Sequence, residues 1–126
     1  MMGGRWLGSS GIEMPFKQGV HACLVVPKHR HRKFRGDLLA LGYTFHAGPR
    51  TTREGEIQAW VAGIGRGRQV HVQEVRLEDG DVAVFAHTEP QGYGLDHLIS
   101  AVLDEASFSG GAKVLKNDLR SRGWDV

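Results

Sequence analysis

Apolar and polar positions alternate most clearly between Val70 and Pro90, VHVQEVRLEDGDVAVFAHTEP, where two runs flank Asp79-Gly80. Asp-Gly between alternating runs is a strong hairpin signal, because its backbone preference matches the twist of the strands it joins. Val75 and Leu77 on the first run, with Val82, Val84 and Ala86 on the second, predict one apolar face. Val70 and Val72 fall on the opposite parity, so a β-bulge is expected at Gln73-Glu74. A two-residue turn sets Leu77 against Val82 and Val75 against Val84. The bulge then brings Val72 opposite Ala86 and His71 opposite His87, about 5 Å apart at Cβ.

The same patterning predicts a strand over Val20–Val26, ended by Pro27, and a helix over Arg32–Leu41 with Phe34, Leu38 and Leu41 on one face. Gly42 is its stop. Tyr43–His46 begins a second strand, GPRTTREGE reads as a loop, and Glu56–Ala62 is a third strand leading through the loop GIGRGR into the hairpin. Beyond Pro90, Leu95, Leu98, Ile99, Val102 and Leu103 predict an amphipathic helix over Leu95–Glu105. Ser107–Gly111 is an expected interruption, and Ala112–Arg122 a last helix stopped by Gly123. The acidic pair Asp104-Glu105 then sits at the unfavourable end of a helix dipole. The order β-α-β-β-β-β-α-α predicts an α+β domain, a mostly antiparallel sheet of about five strands with helices on one face.

The chain has 126 residues, enough for a single domain with its own core. Residues 1–13, rich in glycine and serine, read as a flexible tail before a domain spanning 14–126, and Met14 is a candidate start. One cysteine, Cys23, excludes an intrachain disulfide and suggests a reducing, cytoplasmic setting. No apolar run reaches the roughly 18 residues of a membrane span. Net charge is only +2, but its distribution is uneven. Lys28, Arg30, Arg32, Lys33 and Arg35 form one basic run, interleaved with His29 and His31, and Arg66 and Arg68 lie in the glycine-rich segment.

Cations at a helix N-terminus oppose the dipole, so this run is not explained by helix stability; with the free N–H groups there it suits a phosphate backbone. The competing reading is a solvated arginine-rich loop. Phe34 and Tyr43 are too few aromatics for a base-stacking surface. GIGRGR falls between strands, outside the contexts of dinucleotide and P-loop motifs. His71 and His87, with Glu89 two residues on and therefore on the same face as His87, form a donor set suited to zinc or another first-row metal. The competing reading is a wet, polar sheet face. Cys23 and His21 share a face of the first strand, a pairing that can act as a nucleophile, although a lone cysteine is more often packing.

The segment VHACLVVPKHRHRKFRGDLLALGYTF resembles the strand and helix that open a vicinal oxygen chelate (glyoxalase-like) module, and LDHLISAVL followed by KVLKNDLRSRGWDV is similar again. The resemblance covers about half the chain. It implies a metal-dependent enzyme or small-molecule binder, with His21 and His97 at matching ligand places. The residues themselves lead first to a non-enzymatic, cofactor-free module that binds DNA, RNA or another polyanion through Lys28–Arg35, supported by Arg66 and Arg68. A metal-dependent protein using a divalent ion such as zinc is the second reading. A homo-oligomer pairing through a sheet edge or Trp60 is the third.

Overall fold

The structure is a computed structural model that describes residues 5–6, 12–14, 17–52, 55–91 and 104–126. Its strands are β1 (Arg5–Trp6), β2 (Glu13–Met14), β3 (Lys17–His21), β4 (Leu24–Val26), β5 (Thr44–Thr52), β6 (Gly55–Gly65), β7 (Arg68–Arg76) and β8 (Val82–Pro90). Its helices are α1 (His31–Ala40), preceded by a 3-10 turn at Lys28–Arg30, and α2 (Glu105–Ser121). Six strands form one sheet in the order β1-β4-β8-β7-β6-β5, every pair antiparallel, and β2 with β3 forms a small second sheet. This is the α+β architecture that the alternation implied. The segment 92–103, which carries most of the expected Leu95–Glu105 helix and His97, lies outside the described residues.

The central hairpin has the expected register from Val72 and His71 outward, but not the expected bulge, and nearer the turn Val82 faces Arg76 and Val75 faces Ala83, so Val75 lies on the opposite face from Val82, Val84 and Ala86. His71 pairs with His87 and Val72 with Ala86, in an unbroken ladder from Arg68↔Pro90 to Arg76↔Val82. The extra residue sits in the turn. Leu77 N–H donates to the Asp81 carbonyl, Gly80 N–H donates to the Leu77 carbonyl, and Gly80 has a φ of +92°. That is a three-residue loop with a left-handed glycine, one residue longer than the turn assumed from Asp-Gly. The Val75/Val72 phase change has another explanation: both sheet faces are covered, so apolar residues of either parity are buried. Val70, Val72, Val82, Val84, Ala86 and Trp60 meet Phe34 and Leu38 of α1 and Leu115 and Leu119 of α2, while Val75, Ala83, Phe85 and Ala59 form a second cluster with Ala22 on the other side.

Elsewhere the boundaries move for identifiable reasons. The strand expected over Val20–Val26 is divided, because Ala22 N–H bonds to Ile12 in the small sheet and Cys23 N–H bonds to Val84 in the large one. GPRTTREGE is not wholly loop: β5 runs on to Thr52, paired back to Gly55, Glu56 and Ile57, with register shifts between Phe45 and Arg50 that accommodate Gly48-Pro49. Proline is tolerated there because β5 is an edge strand. GIGRGR is likewise mostly strand, closing in a two-residue turn at Arg66-Gly67 where both φ values are positive, +57° and +69°. Ser107–Gly111 does not interrupt the last helix. α2 is capped by Asp104, whose side chain accepts from Ser107 N–H at 2.9 Å, so Asp104 and Glu105 occupy the favourable end of the dipole.

Both helices end in the same way. Gly42 and Gly123, at φ +91° and +90°, allow Tyr43 N–H to reach the Leu38 carbonyl and Trp124 N–H to reach the Leu119 carbonyl. This Schellman geometry turns an aromatic residue back onto the core directly after each helix. Tyr43 and Trp124 are both buried, and Trp124 meets Phe34 edge-on at 5.7 Å.

A basic concavity and a buried histidine-carboxylate cluster

Arg32 and Arg35, three apart on α1, share one side of the helix, and Lys28 joins them from the 3-10 turn before it. They line a concavity of about 490 Å³ together with His31, Gly36, Leu39 and Arg76 of β7. Three of the seven cations singled out from the sequence are therefore gathered here. Arg30 does not line the concavity. Lys33 is engaged with Asp37, to which its Nζ donates at 2.6 Å, and lies 5.9 Å from the Trp124 ring centroid. Arg66 and Arg68 lie at the opposite end of β7 from Arg76, eight residues or about 27 Å along the strand. Arg68 donates there to Thr88 Oγ1.

Arg76 and Glu74, neither of them a site candidate in the sequence, organise this site. Arg76 Nη1 donates to the Gly80 carbonyl at 3.0 Å, and Nη2 faces His31 Nδ1 at 3.3 Å. A guanidinium has only donors, so His31 Nδ1 presents its lone pair and Nε2 carries the hydrogen donated to Glu74 Oε1. Trp60 Nε1 donates to the other oxygen of the same buried carboxylate. Arg35 lies over the rings of Phe45 and Trp60, at 5.9 and 5.7 Å, which orders its planar head. Lys28 is fixed through its backbone N–H, which donates to Asp81 Oδ1. Helical spacing within the basic run would have separated Lys28, Arg32 and Arg35 from Lys33. Nothing local marks Arg76, which arrives from another element.

Trp60 is not available for self-association: it is buried against Glu74. Phe34 and Tyr43 are buried as well, which removes them as base-stacking groups. Cys23 is buried, its Sγ donates to the Val84 carbonyl at 3.3 Å, and burial pushes its thiol up to about 12, so it does not supply a thiolate nucleophile.

The histidine pair lies on the other face of the sheet. His71, His87 and Glu89 are 0%, 0% and 1% exposed, so the expected open, wet face is a covered one. Glu89 stands between the rings. Its Oε1 is 3.0 Å from His71 Nδ1 and 2.8 Å from Gln69 Nε2, and its Oε2 is 2.9 Å from His87 Nε2. Burial alone would raise the Glu89 carboxyl; hydrogen bonds from His71, His87 and Gln69 more than offset it and hold the group at about 2. One ligand atom from each of the three residues falls within 4.8 Å of the others, and His21 is not part of the group. α2 crosses the β8 backbone at this point. A Cβ added to Gly111 would lie 2.3 Å from the His87 backbone, and the Phe108 ring stands 5.7 Å from the His87 ring.

Among the described residues no helix is long and apolar enough to cross a membrane. No family model, curated protein or solved structure matches this chain.

Proposed function

We propose that the protein binds the phosphate backbone of nucleic acid in the concavity between α1 and the end of β7. The observation that carries this reading is the convergence of Lys28, Arg32, Arg35 and Arg76 on one hollow of about 490 Å³. Glu74 accepts from His31 and Trp60, and Asp81 from the Lys28 backbone; these neutral donors leave both carboxylates charged. The four cations that line the hollow still outnumber these two carboxylates. Lys28 and Arg32 supply mobile charge, whereas Arg35 and Arg76 are oriented by their aromatic and carbonyl neighbours and lose less side-chain freedom on binding. Among the described residues no exposed aromatic row accompanies them, which favours backbone contact over reading of bases.

Fluorescence anisotropy with a short single-stranded oligonucleotide, between about 50 and 200 mM salt, tests this reading. The parent should lose affinity steeply with salt. Replacing Lys28→Ser and Arg32→Ser together should weaken binding about tenfold at the lower salt and reduce the logarithmic salt slope by about 1.4, or 0.7 for each phosphate no longer neutralised. A folded double variant that binds as the parent does, or a parent that does not bind at low salt, refutes it.

A further inference from the structure

We infer that His71, His87 and Glu89 form a site for one divalent transition-metal ion of the zinc type, separate from the basic concavity. Antiparallel pairing sets the two histidines opposite each other. Period-two alternation places Glu89 on the face of His87, and the strand pairing brings it level with Gln69, two residues before His71. All three ligand groups are therefore delivered by β7 and β8, rigid central strands on which a metal site can be preorganised.

The spacing is close to what an ion needs. With metal–ligand distances of about 2.0–2.2 Å, adjacent ligands are about 2.9–3.4 Å apart and opposite ones about 4.1 Å. His71 Nδ1 lies 3.0 Å from Glu89 Oε1 and His87 Nε2 lies 2.9 Å from Oε2, so each ring is at an adjacent-ligand distance from one of the two carboxylate oxygens. The whole set spans no more than 4.8 Å, so less than about 2 Å of side-chain movement closes it around an ion. Two imidazoles and a carboxylate select zinc, cobalt, nickel or ferrous ions over calcium and magnesium, which prefer all-oxygen sites. Gln69 Nε2, donating to Glu89 Oε1, is the kind of outer partner that orients a carboxylate ligand.

The same face holds a further buried polar side chain. Gln73, two residues from His71 on the same face of β7, is fully buried, and neither its side-chain oxygen nor its nitrogen has a hydrogen-bond partner. A buried amide with both ends unsatisfied is costly.

In the ion-free state each ring nitrogen facing Glu89 donates to it. To bind an ion, each ring presents a lone pair in place of that hydrogen, which its other nitrogen can carry.

Chelator-stripped protein titrated with zinc, and separately with cobalt, tests the site. One equivalent should bind, cobalt should give visible absorption of a nitrogen- and oxygen-ligated ion, and zinc should shift the imidazole nitrogen resonances of only two of the seven histidines. Glu89→Gln keeps the size of the side chain but removes its charge, and should weaken zinc at least tenfold. His29→Gln, at an exposed position, should not. Absence of stoichiometric uptake, perturbation of other histidines, or equal affinity in Glu89→Gln overturns the inference. Should Glu89→Gln not fold, the parent's stoichiometry and histidine resonances decide alone.

Discussion

Among single residues, Asp37 shows how one buried carboxylate can join distant parts of the chain. It accepts from Lys33 Nζ at 2.6 Å, Trp124 Nε1 at 2.7 Å and Arg122 Nε at 3.2 Å, tying α1 to the turn that follows α2. Burial alone would raise its carboxyl; hydrogen bonds from Lys33, Trp124 and Arg122 more than offset this and hold it below the ordinary aspartate value. Because the folded value is the lower one, the stabilisation is present in full above the unfolded value of about 3.9 and is lost as pH falls through the folded value. Asp37→Asn should cost about 2 kcal/mol near neutral pH, since it weakens hydrogen bonds made to a charged group. Urea unfolding of parent and variant should show that difference shrinking below about pH 4. A constant difference throughout the acid range would mean that Asp37 is not the titrating group.

Of the secondary-structure elements, α2 is a helix whose inward stripe begins with the smallest residue. Gly111, Leu115 and Leu119 repeat at four and are all buried. Leu115 and Leu119 fill the core as aliphatic side chains usually do, each contributing about 2 kcal/mol of burial. Gly111 serves a different purpose, admitting the β8 backbone at His87 to a distance no Cβ allows. Its neighbour Gly110 faces Thr88, whose nearest side-chain atom would be 3.4 Å from an added Cβ. The two glycines should therefore respond oppositely to alanine. Gly110→Ala should be neutral or stabilising by up to about 1 kcal/mol through helix propensity. Gly111→Ala should destabilise by about 3 kcal/mol or more, because the neighbour is backbone and cannot rotate away. Thermal unfolding of the pair is the measurement, and equal effects would contradict the close approach.

Taken across the molecule, the sheet is a partition. Strand alternation sends Glu74 to the helix-covered face, where His31 and Trp60 meet it, and sends His71, His87 and Glu89 to the other. Each face thus carries a buried carboxylate receiving imidazole contacts, and the basic concavity belongs to the Glu74 side. The β6–β7 turn with Arg66 lies at the far end of the sheet from this hollow, well beyond the roughly 8–10 Å over which exposed charges act at physiological salt. Replacing Arg66→Ser and Arg68→Ser together should leave the affinity for inorganic tripolyphosphate unchanged, since that anion is too short to reach both ends. A loss comparable to that from Lys28→Ser with Arg32→Ser would show that charge acts diffusely over the surface.

Local order along the chain was enough to specify the hairpin, the antiparallel α+β class and the pairing of His71 with His87. Period-two alternation and an Asp-Gly turn are local signals, and the register they imply tolerates some error in detail. Placing the extra residue at Gln73-Glu74 instead of in the turn led to the same His71–His87 pair, because one added residue shifts the ladder equally in either place. Candidate ligands His71, His87 and Glu89 were legible for the same reason: their geometry follows from strand pairing alone. Burial was not legible in this way. Whether a sheet face is wet or covered depends on what packs over it, and that turned Trp60 from a surface group into a partner of Glu74. Nor could the chain order show that Arg76 joins Lys28, Arg32 and Arg35 while Arg66 and Arg68 do not. A strand carries its two ends about 27 Å apart, and only the docking of α1 at one of them decides which cations share a hollow.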